Sequence, residues 1–268
     1  MQIVGELINA SRKSVGEAIK AQDVDTIKKL ARDQAEHGAD YIDVNAGIFV
    51  GKEKDYMDWL IKLVQEEVDV PCCIDSPDPL VVESALKLHQ DKAGVPMVNS
   101  ISLESERFDN LLPIISEHKC KVVALCMSDE GMPETAEDRF AIAEKLVNVL
   151  MQKGVKADDI YVDPLVQPIS TNKMYGVEFL NSIEMIMTRL EGVHTVCGMS
   201  NISFGMPKRA ILNRNFVVMA VLKGLDTAII NPMDANMMAN IIVAETLAGK
   251  DEFCMNFLEA YRANKFEL

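Results

Sequence analysis

The amino-acid sequence predicts a (β/α)8 barrel, the TIM-barrel fold of the α/β class, and three observations support this prediction. Eight short apolar runs cross the 268 residues. Each run is followed by a stretch in which apolar residues recur with the period of an amphipathic helix. Successive runs begin about 25 to 40 residues apart, the length of a unit that joins two parallel strands through a helix.

The predicted strands are apolar along nearly their whole length, as is typical when helices cover both faces of a parallel sheet. They span residues 2–9, 41–45, 71–75, 96–100, 121–127, 160–164, 195–201 and 226–231. The predicted helices span 23–37, 54–68, 79–90, 107–118, 136–153, 177–190, 208–223 and 235–247. A last amphipathic segment, 252–266, is expected to form a helix that closes the barrel.

A single domain spanning residues 1–268 is expected, because no linker rich in Pro, Gly or Ser divides the chain. Eight repeats within about 250 residues favour a closed barrel over an open sheet. The alternative is an open doubly wound sheet, which usually carries a GxGxxG fingerprint after its first strand. The first turn reads GELINASR and lacks that fingerprint.

Composition and charge exclude several classes of function. The net charge of −14 argues against a nucleic-acid partner, because phosphate binding requires a basic surface. No apolar run approaches the roughly 18 residues of a membrane span, and the first residues do not resemble a signal peptide, so a cytoplasmic protein is expected. The six cysteines form no CxxC pair and the four histidines are scattered, which predicts free thiols and no bound metal.

Seven of the eight predicted strands end in an amide or a carboxylate. These residues are Asn9, Asn45, Asp75, Asn99, Asp163, Asn201 and Asn231, whereas the fifth strand ends in Met127. In a TIM barrel the active-site groups lie at the carboxyl ends of the strands. Each polar residue could instead begin a turn or cap a helix, but these roles also accept Ser, Thr and Gly and do not explain so uniform a choice. The pattern therefore predicts one shared polar pocket.

Such a pocket suits a flat heterocycle with amide-like edges. With Glu6 and Asp43, the strand ends form a cup rich in hydrogen-bond acceptors. A carboxylate can accept two hydrogens from an amino-imino edge, and an amide can pair with a lactam edge; a pterin or a purine has both. The sequence contains no GxSxG elbow and no strand-end lysine suited to a Schiff base. Lys208 and Arg209 are the only close basic pair at a strand end, so a phosphate ligand is disfavoured.

Several segments resemble the methyltetrahydrofolate:corrinoid methyltransferases. These belong to the pterin-binding superfamily, with dihydropteroate synthase and the folate domain of cobalamin-dependent methionine synthase. The matching segments are GELIN at 5–9, DVN at 43–45, IDSPD at 74–78, VNSIS at 98–102, YVDPLV at 161–166, GMSNISFGMPKR at 198–209 and NRNF at 213–216. The GMSNISFGMPKR stretch is the most specific, and the resemblance spans essentially the whole chain.

The resemblance implies a homodimeric TIM barrel that moves a methyl group between N5 of tetrahydrofolate and the cobalt of a corrinoid. The substrate would be tetrahydrofolate or 5-methyltetrahydrofolate. Cob(I)alamin or methylcobalamin would be supplied by a partner, a separate corrinoid protein, because this chain lacks a DxHxxG-type corrinoid motif. No metal would be bound by the chain itself.

The resemblance also implies roles for individual residues. The expected catalytic groups are Asn201, which would hydrogen-bond N5, and Asp163 and Asp75, which would grip the pterin edge together with Asn99. Further ligand contacts are implied for Glu6, Asn9, Asp43, Asn45, Met127, Gly198, Ser200, Ser203 and Arg209. The chain departs from the family at Phe204, where a polar side chain can contact the folate.

Two other functions stay open, as does the direction of methyl transfer. A dihydropteroate synthase would be expected to carry serine, threonine and arginine in the loop after the second strand, which here reads AGIFVGKEKD at 46–55. A pterin-binding protein without catalytic activity is the other alternative.

Overall fold

The computed structural model describes residues 1–266 and contains eight parallel strands that pair in chain order and close into a barrel. The strands are β1 (Gln2–Asn9), β2 (Tyr41–Asn45), β3 (Cys72–Asp75), β4 (Met97–Leu103), β5 (Lys121–Ser128), β6 (Ile160–Asp163), β7 (His194–Gly198) and β8 (Thr227–Ile230). Pairing of β1 with β8 closes the sheet. The predicted fold class is therefore confirmed.

Ten α-helices surround the barrel within the described residues. They are α1 (Lys13–Ala21), α2 (Val24–Glu36), α3 (Glu53–Glu67), α4 (Pro79–Leu88), α5 (Ser105–Glu117), α6 (Ala136–Gln152), α7 (Tyr175–Arg189), α8 (Arg209–Lys223), α9 (Ala235–Leu247) and α10 (Met255–Arg262). Helices α2 to α9 match the eight predicted helices within two residues at each end. In this part of the chain no helix is long and apolar enough to cross a membrane.

Helix α1 was not predicted, and its sequence explains why. It has only nine residues, it contains Gly16, and the preceding Arg12 makes no capping hydrogen bond with its side chain. These features remove the usual start signal and lower helix propensity. A Cβ at Gly16 would lie 2.4 Å from the carbonyl oxygen of Ala10, so only glycine lets α1 pack this closely against the turn after β1.

The last helix is shorter than predicted. A 3-10 turn at Glu252–Cys254 comes first, with Phe253 and Cys254 at φ of 54° and 56°. The carboxylate of Asp251 accepts hydrogen bonds of 3.0 Å from the backbone N–H groups of Asn256 and Phe257, which fixes the start of α10. Helix α10 packs against α9 on the outside of the barrel, while the sheet itself is closed by the pairing of β1 with β8.

Strand residues alternate between the helices and the barrel interior. The interior-facing side chains of the lower level form an apolar plug, composed of Val4, Tyr41, Cys73, Met97, Val123, Tyr161 and Val196. All seven are buried, with exposures of 5% or less. By the two-residue period of a strand, the next interior residue on each strand faces the carboxyl-terminal mouth of the barrel. The plug is thus the base on which any site at the mouth must stand.

A polar network lies at the opposite, amino-terminal end of the plug. Lys121 Nζ donates to the Tyr161 hydroxyl at 2.8 Å, which in turn donates to Gln2 Oε1 at 2.8 Å. The His194 ring stacks on Tyr161 with 4.7 Å between centroids. His194 Nδ1 lies 2.7 Å from Asp226, and its Nε2 lies 3.1 Å from Asp158. These contacts tie the starts of β6, β7 and β8 together.

The His194 contacts predict a stability that depends on pH. Hydrogen bonds and charge attraction from Asp226 and Asp158 raise the pKa of His194 above 6.5. The ion pairs therefore contribute fully below about pH 6.5, and their contribution is lost as the pH rises through the folded-state pKa. We expect His194→Gln to lower the urea midpoint more at pH 6 than at pH 9. The same substitution at His37, an exposed residue after α2, is the control, and an equal loss at both pH values would contradict the assignment.

Candidate functional site at the carboxyl ends of the strands

A row of four polar residues runs across neighbouring strands at the mouth of the barrel. Asn9 pairs in register with Asn45, Asn45 with Asp75, and Asp75 with Asn99. The alternation of each strand directs Asn45, Asp75 and Asn99 to the interior, above residues of the apolar plug. The row makes one continuous polar wall from four strands, as the pattern of strand ends predicts.

Two carboxyl groups lie close together in this wall. Asn45 Nδ2 donates to Asp75 Oδ2 at 2.9 Å. Asp43 lies one level deeper on β2, is 2% exposed, and has an Oδ1 atom without a hydrogen-bond partner. Burial raises the pKa of Asp43 well above its usual value, and the neighbouring Asp75 raises it further. Burial also raises the pKa of Asp75. Burial of both carboxyl groups therefore favours the protonated form within this pair.

Arg107 supports this wall and was missed by the sequence analysis. It lies on α5, and its Nε donates to the Ser100 carbonyl oxygen at 2.9 Å. Its positive charge lowers the pKa of Asp75 and so partly offsets the effect of burial. A basic residue on the helix after a strand is too common to single out, so no sequence signal pointed to it.

Asp163 faces the wall from β6. It occupies an interior position, and Oδ1 accepts a hydrogen bond from the Leu165 backbone N–H at 2.8 Å. Burial raises the pKa of Asp163 to about 7, although the Leu165 bond opposes that shift. A carboxyl group with this pKa can either hold or release a proton near neutral pH.

The predicted strand 195–201 included Asn201, but in the structure this residue lies outside the strand. Strand β7 ends at Gly198, and Asn201 lies in a 3-10 helix, Met199–Ser203, where its side chain is exposed. Its Nδ2 would lie 3.6 Å from a Cβ built on Gly198, an interior-facing residue. The amide therefore lies over the end of β7, at the edge of the mouth.

Arg209 holds this turn from α8. Its Nε donates to Ser203 Oγ at 3.0 Å, and its Nη2 donates to the Ser200 carbonyl oxygen at 2.5 Å. Ser203 is completely buried and its hydroxyl accepts the hydrogen bond from Arg209 that supports the turn, while the direct ligand contact implied for this residue stays a prediction. Phe204 is 63% exposed, with its ring 5.9 Å from the Arg209 guanidinium carbon.

Four of the predicted strand-end residues also build turns. In each, the side-chain oxygen accepts the backbone N–H two residues later, at 2.8 to 3.0 Å. The pairs are Asn9 with Ser11, Asn45 with Gly47, Asp163 with Leu165, and Asn231 with Met233. The turn-forming role that the sequence analysis considered an insufficient explanation is thus real at four positions. It coexists with the pocket, because Asn45 also donates to Asp75.

A cavity of about 290 Å³ adjoins the wall between β7, β8 and β1. Glu6 lies on its edge, paired with Arg12 at 2.5 Å, and burial raises the Glu6 pKa. The lining also includes Ser200, Arg209, Asn213, Asn231 and Asp234. Met127 lies on β5, on the other side of the mouth. It follows Val123, an interior residue, by four residues, so it also faces the interior, where it contributes a partly buried thioether. The mouth thus combines polar walls with an apolar side.

Residues 1–266 contain no group of three or more His, Cys, Asp or Glu side chains placed to hold a metal ion. All six cysteines are free, and burial raises the pKa of Cys72 and of Cys120 to about 12. These two thiols are poor nucleophiles at neutral pH.

Comparison with known proteins shows that this chain is similar to enzymes that bind pterins and folates. The family model described as pterin binding enzyme matches residues 5–231. The methylcorrinoid:tetrahydrofolate methyltransferase of Eubacterium limosum is 34% identical over 267 residues, covering 99% of this chain and 97% of that protein. The methionine synthase of Mycobacterium tuberculosis is 30% identical over 243 residues, which are 85% of this chain but 20% of that longer protein.

Solved structures share the fold. The dihydropteroate synthase of Xanthomonas albilineans, in complex with 7,8-dihydropteroate, superposes with a TM-score of 0.74 at 17% identity and covers 92% of this chain and 93% of that one. The dihydropteroate synthase of Thermus thermophilus has a TM-score of 0.67 at 19% identity, with coverages of 89% and 91%. At these identities the likeness concerns the barrel alone.

Burial of Asp163 predicts that its neutral counterpart is more stable. A folded-state pKa of about 7, against an ordinary 3.8, means that ionised Asp163 destabilises the fold at pH 8. Asp163→Asn keeps an acceptor for the Leu165 N–H, so we expect it to raise the free energy of unfolding at pH 8 by about 1 to 4 kcal/mol. The upper figure follows from the difference between 7 and 3.8, because a pKa difference of 1 corresponds to about 1.4 kcal/mol. The gain should shrink at pH 5.5, as measured by urea unfolding.

Asp129→Asn is the matched control for this experiment. Hydrogen bonds from Ser105 lower the pKa of the exposed Asp129, so its ionised form stabilises the fold. Its replacement should lower stability at pH 8. A loss of stability for Asp163→Asn at both pH values would contradict a buried, proton-binding Asp163.

Proposed function

This chain belongs to the family of pterin-binding enzymes, and on that premise we propose that it transfers a methyl group between a corrinoid and N5 of tetrahydrofolate. One observation carries the proposal: amides and carboxyl groups from β1 to β4, β6 and the turn after β7 lie at a single mouth. Similarity to a methylcorrinoid:tetrahydrofolate methyltransferase along nearly all of both chains supports the same conclusion. The name of that relative favours the direction from methylcorrinoid to tetrahydrofolate.

The polar wall suits the pyrimidine edge of a pterin. An Asp75 carboxylate can accept hydrogens from the 2-amino group and from N3, and the Asn99 amide can pair with the adjacent lactam. Asn45 fixes Asp75 in place through its 2.9 Å hydrogen bond. Apart from Asp43, the interior side chains below the wall are those of the apolar plug, and they match the face of a flat ring. Asp75, Asn99 and Asp163 would therefore orient the pterin, while Asn201 approaches it from the rim.

Methyl transfer to N5 requires little covalent chemistry from the protein. The carbon–cobalt bond breaks with its electron pair left on cobalt, the lone pair of N5 forms the new bond to carbon, and the hydrogen of N5 leaves as a proton. Asn201 can accept a hydrogen bond from N5–H or donate one to the N5 lone pair, so it can stabilise both protonation states. Asp163, with a pKa of about 7, can hold a proton in the same site. The corrinoid supplies the reactive metal–carbon bond.

The corrinoid is expected to arrive on a separate protein, which is the proposed partner. A corrinoid protein could approach the mouth on the side of the Asn201 turn, because Asn201 is exposed there. A homodimer and a cytoplasmic location are further parts of the proposal, since they are implied by the family resemblance. The apolar groove of about 220 Å³ between α7 and α8, lined by Val177, Phe216 and Met219, is consistent with a subunit contact.

Dihydropteroate synthase activity is the second candidate, because the solved structures with the same fold carry that name. The cavity beside β8 and β1 argues against it. Two arginines line it: Arg12 is paired with Glu6, and Arg209 donates to Ser203 and Ser200. Asp234, also in the lining, is paired with Arg214. A diphosphate leaving group placed there would meet two carboxylates. Formation of a pteroate from a pterin diphosphate and p-aminobenzoate would establish this alternative.

Removing the Asn201 amide should slow methyl transfer more than it weakens binding. We expect Asn201→Ala to lower kcat by about 100-fold or more, since a hydrogen bond that strengthens in the transition state is lost, whereas the affinity for tetrahydrofolate falls only a few-fold. The measurement follows cobalt absorbance after methylcobalamin and tetrahydrofolate are mixed with the enzyme. The reverse reaction uses cob(I)alamin and 5-methyltetrahydrofolate.

Asn240→Ala on α9 is the control, because its amide donates only to its own helix, at the Asn236 carbonyl oxygen. It should leave kcat unchanged. An unaltered kcat in Asn201→Ala would exclude the role of this amide. Tetrahydrofolate binding by the unmodified protein without turnover in either direction would establish a pterin-binding protein that is not an enzyme.

A further inference from the structure

Arg139 is a cation buried in the wall of the barrel. It lies near the start of α6, is completely inaccessible to solvent, and is the only fully buried basic side chain among residues 1–266. Its guanidinium donates to three carbonyl oxygens and one amide oxygen: Pro164 at 2.8 Å, Glu134 at 2.8 Å, Thr135 at 3.0 Å, and Gln167 Oε1 at 2.7 Å. None of these acceptors is a carboxylate.

Burial of a guanidinium without a hydrogen-bonded anion is costly, and burial lowers the pKa of Arg139. Packing alone would be served by a methionine or a leucine of similar volume. The planar fork instead satisfies several carbonyl groups at once in a fixed geometry, which neither of those side chains can do. The contacts of Arg139 therefore indicate a need to hold the backbone that they reach.

That backbone begins directly after Asp163. Arg139 bonds to the carbonyl of Pro164, the next residue, and to the side chain of Gln167. Between them lies Leu165, which donates to the Asp163 carboxylate and has a φ of 65°. A leucine in the left-handed region is strained and persists only when its surroundings enforce it. Arg139 supplies two of the contacts that do so.

The same loop continues to the turn that carries Asn201. The backbone N–H of Ile169 donates to the Ile202 carbonyl oxygen at 3.1 Å. The Ser170 hydroxyl donates to the Phe204 carbonyl oxygen at 2.7 Å. The residues contacted on this turn follow Asn201 by one and three positions. The loop held by Arg139 is thus the physical link between Asp163 and Asn201.

We propose that Arg139 is a positioning residue that sets the Asp163 carboxyl group and the Asn201 amide in their relative places around the pterin. This inference rests on the proposed function, because it assumes that both groups act on one bound ligand. Arg139 itself does not touch the ligand, because it is completely buried under the loop that follows Asp163. Its effect should therefore appear in catalysis and in the titration of Asp163, beyond any loss of stability.

Three variants test the proposal: Arg139→Lys, which keeps the charge but loses the fork, Arg139→Ala, and the control Gln65→Met. Gln65 is a buried side chain on α3 that donates to the Ile61 carbonyl oxygen and ties the loop before β4, away from the mouth. Its loss should reduce stability without touching the site. For both Arg139 variants we expect kcat to fall about 10- to 100-fold, as for other small displacements of reacting groups. The control should retain the kcat of the unmodified enzyme.

Two readouts separate positioning from general destabilisation. The pH dependence of tetrahydrofolate binding should shift in the Arg139 variants and remain unchanged in Gln65→Met. Guanidinium at millimolar concentration should restore part of the activity of Arg139→Ala by occupying the space of the lost side chain, and should have no effect on Gln65→Met. Unchanged kcat and pH dependence in both Arg139 variants, with a stability loss like that of the control, would overturn the proposal.

The proposed function can fail separately. If the unmodified protein transfers no methyl group, the carboxyl carbon of Asp163 can be titrated by NMR in the unmodified protein and in Arg139→Lys. A displaced inflection in Arg139→Lys, absent from Gln65→Met, would support positioning of Asp163 even then. An identical titration in all three proteins would overturn it.

Discussion

The structure depends on carboxyl groups held above an apolar plug. The barrel interior cannot be filled with water at the level of Val4, Met97 and Val123, so the next level up is poorly solvated as well. Acids placed there resist ionisation, which raises the pKa of Asp43, Asp75 and Asp163. Without the plug these side chains would be ordinary solvated carboxylates and would give up their protons well below neutral pH. The plug therefore sets the proton affinity of the mouth.

Hydrogen bonds from two arginines hold the loops that carry the site residues above the plug. Two arginines, Arg139 on α6 and Arg209 on α8, reach backbone oxygens near Asp163 and Asn201. Neither depends on an ion pair for its position. The two loops also bond to each other through Ile169 and Ile202. A site with little covalent chemistry gains most from such fixed dipoles, because they need no reorganisation when charge develops on the substrate.

Periodicity and strand-end composition were sufficient to predict the barrel and the end of it that carries the polar residues. They could not reveal α1, since Gly16 and an uncapped start hide it, or the break before α10, which depends on Asp251. Arg107 and Arg139 were invisible for a different reason. Their roles follow from what lies opposite them in space, and a single arginine on an amphipathic helix looks like any surface residue. Ser203 shows the converse limit, because its position in the motif did not reveal that its side chain is buried and bonded to Arg209.

The turns at the ends of β1, β2, β6 and β8 have a consequence for how this scaffold can diversify. Each needs only one oxygen atom from its Asn or Asp, and both residues provide it. Exchanging one for the other alters the second atom, turning a donor into an acceptor or a neutral group into a charge, while the loop keeps its course. Single Asn-to-Asp or Asp-to-Asn substitutions can thus change the pattern of donors and acceptors that the mouth offers to a flat ligand, while the backbone of the turns stays the same.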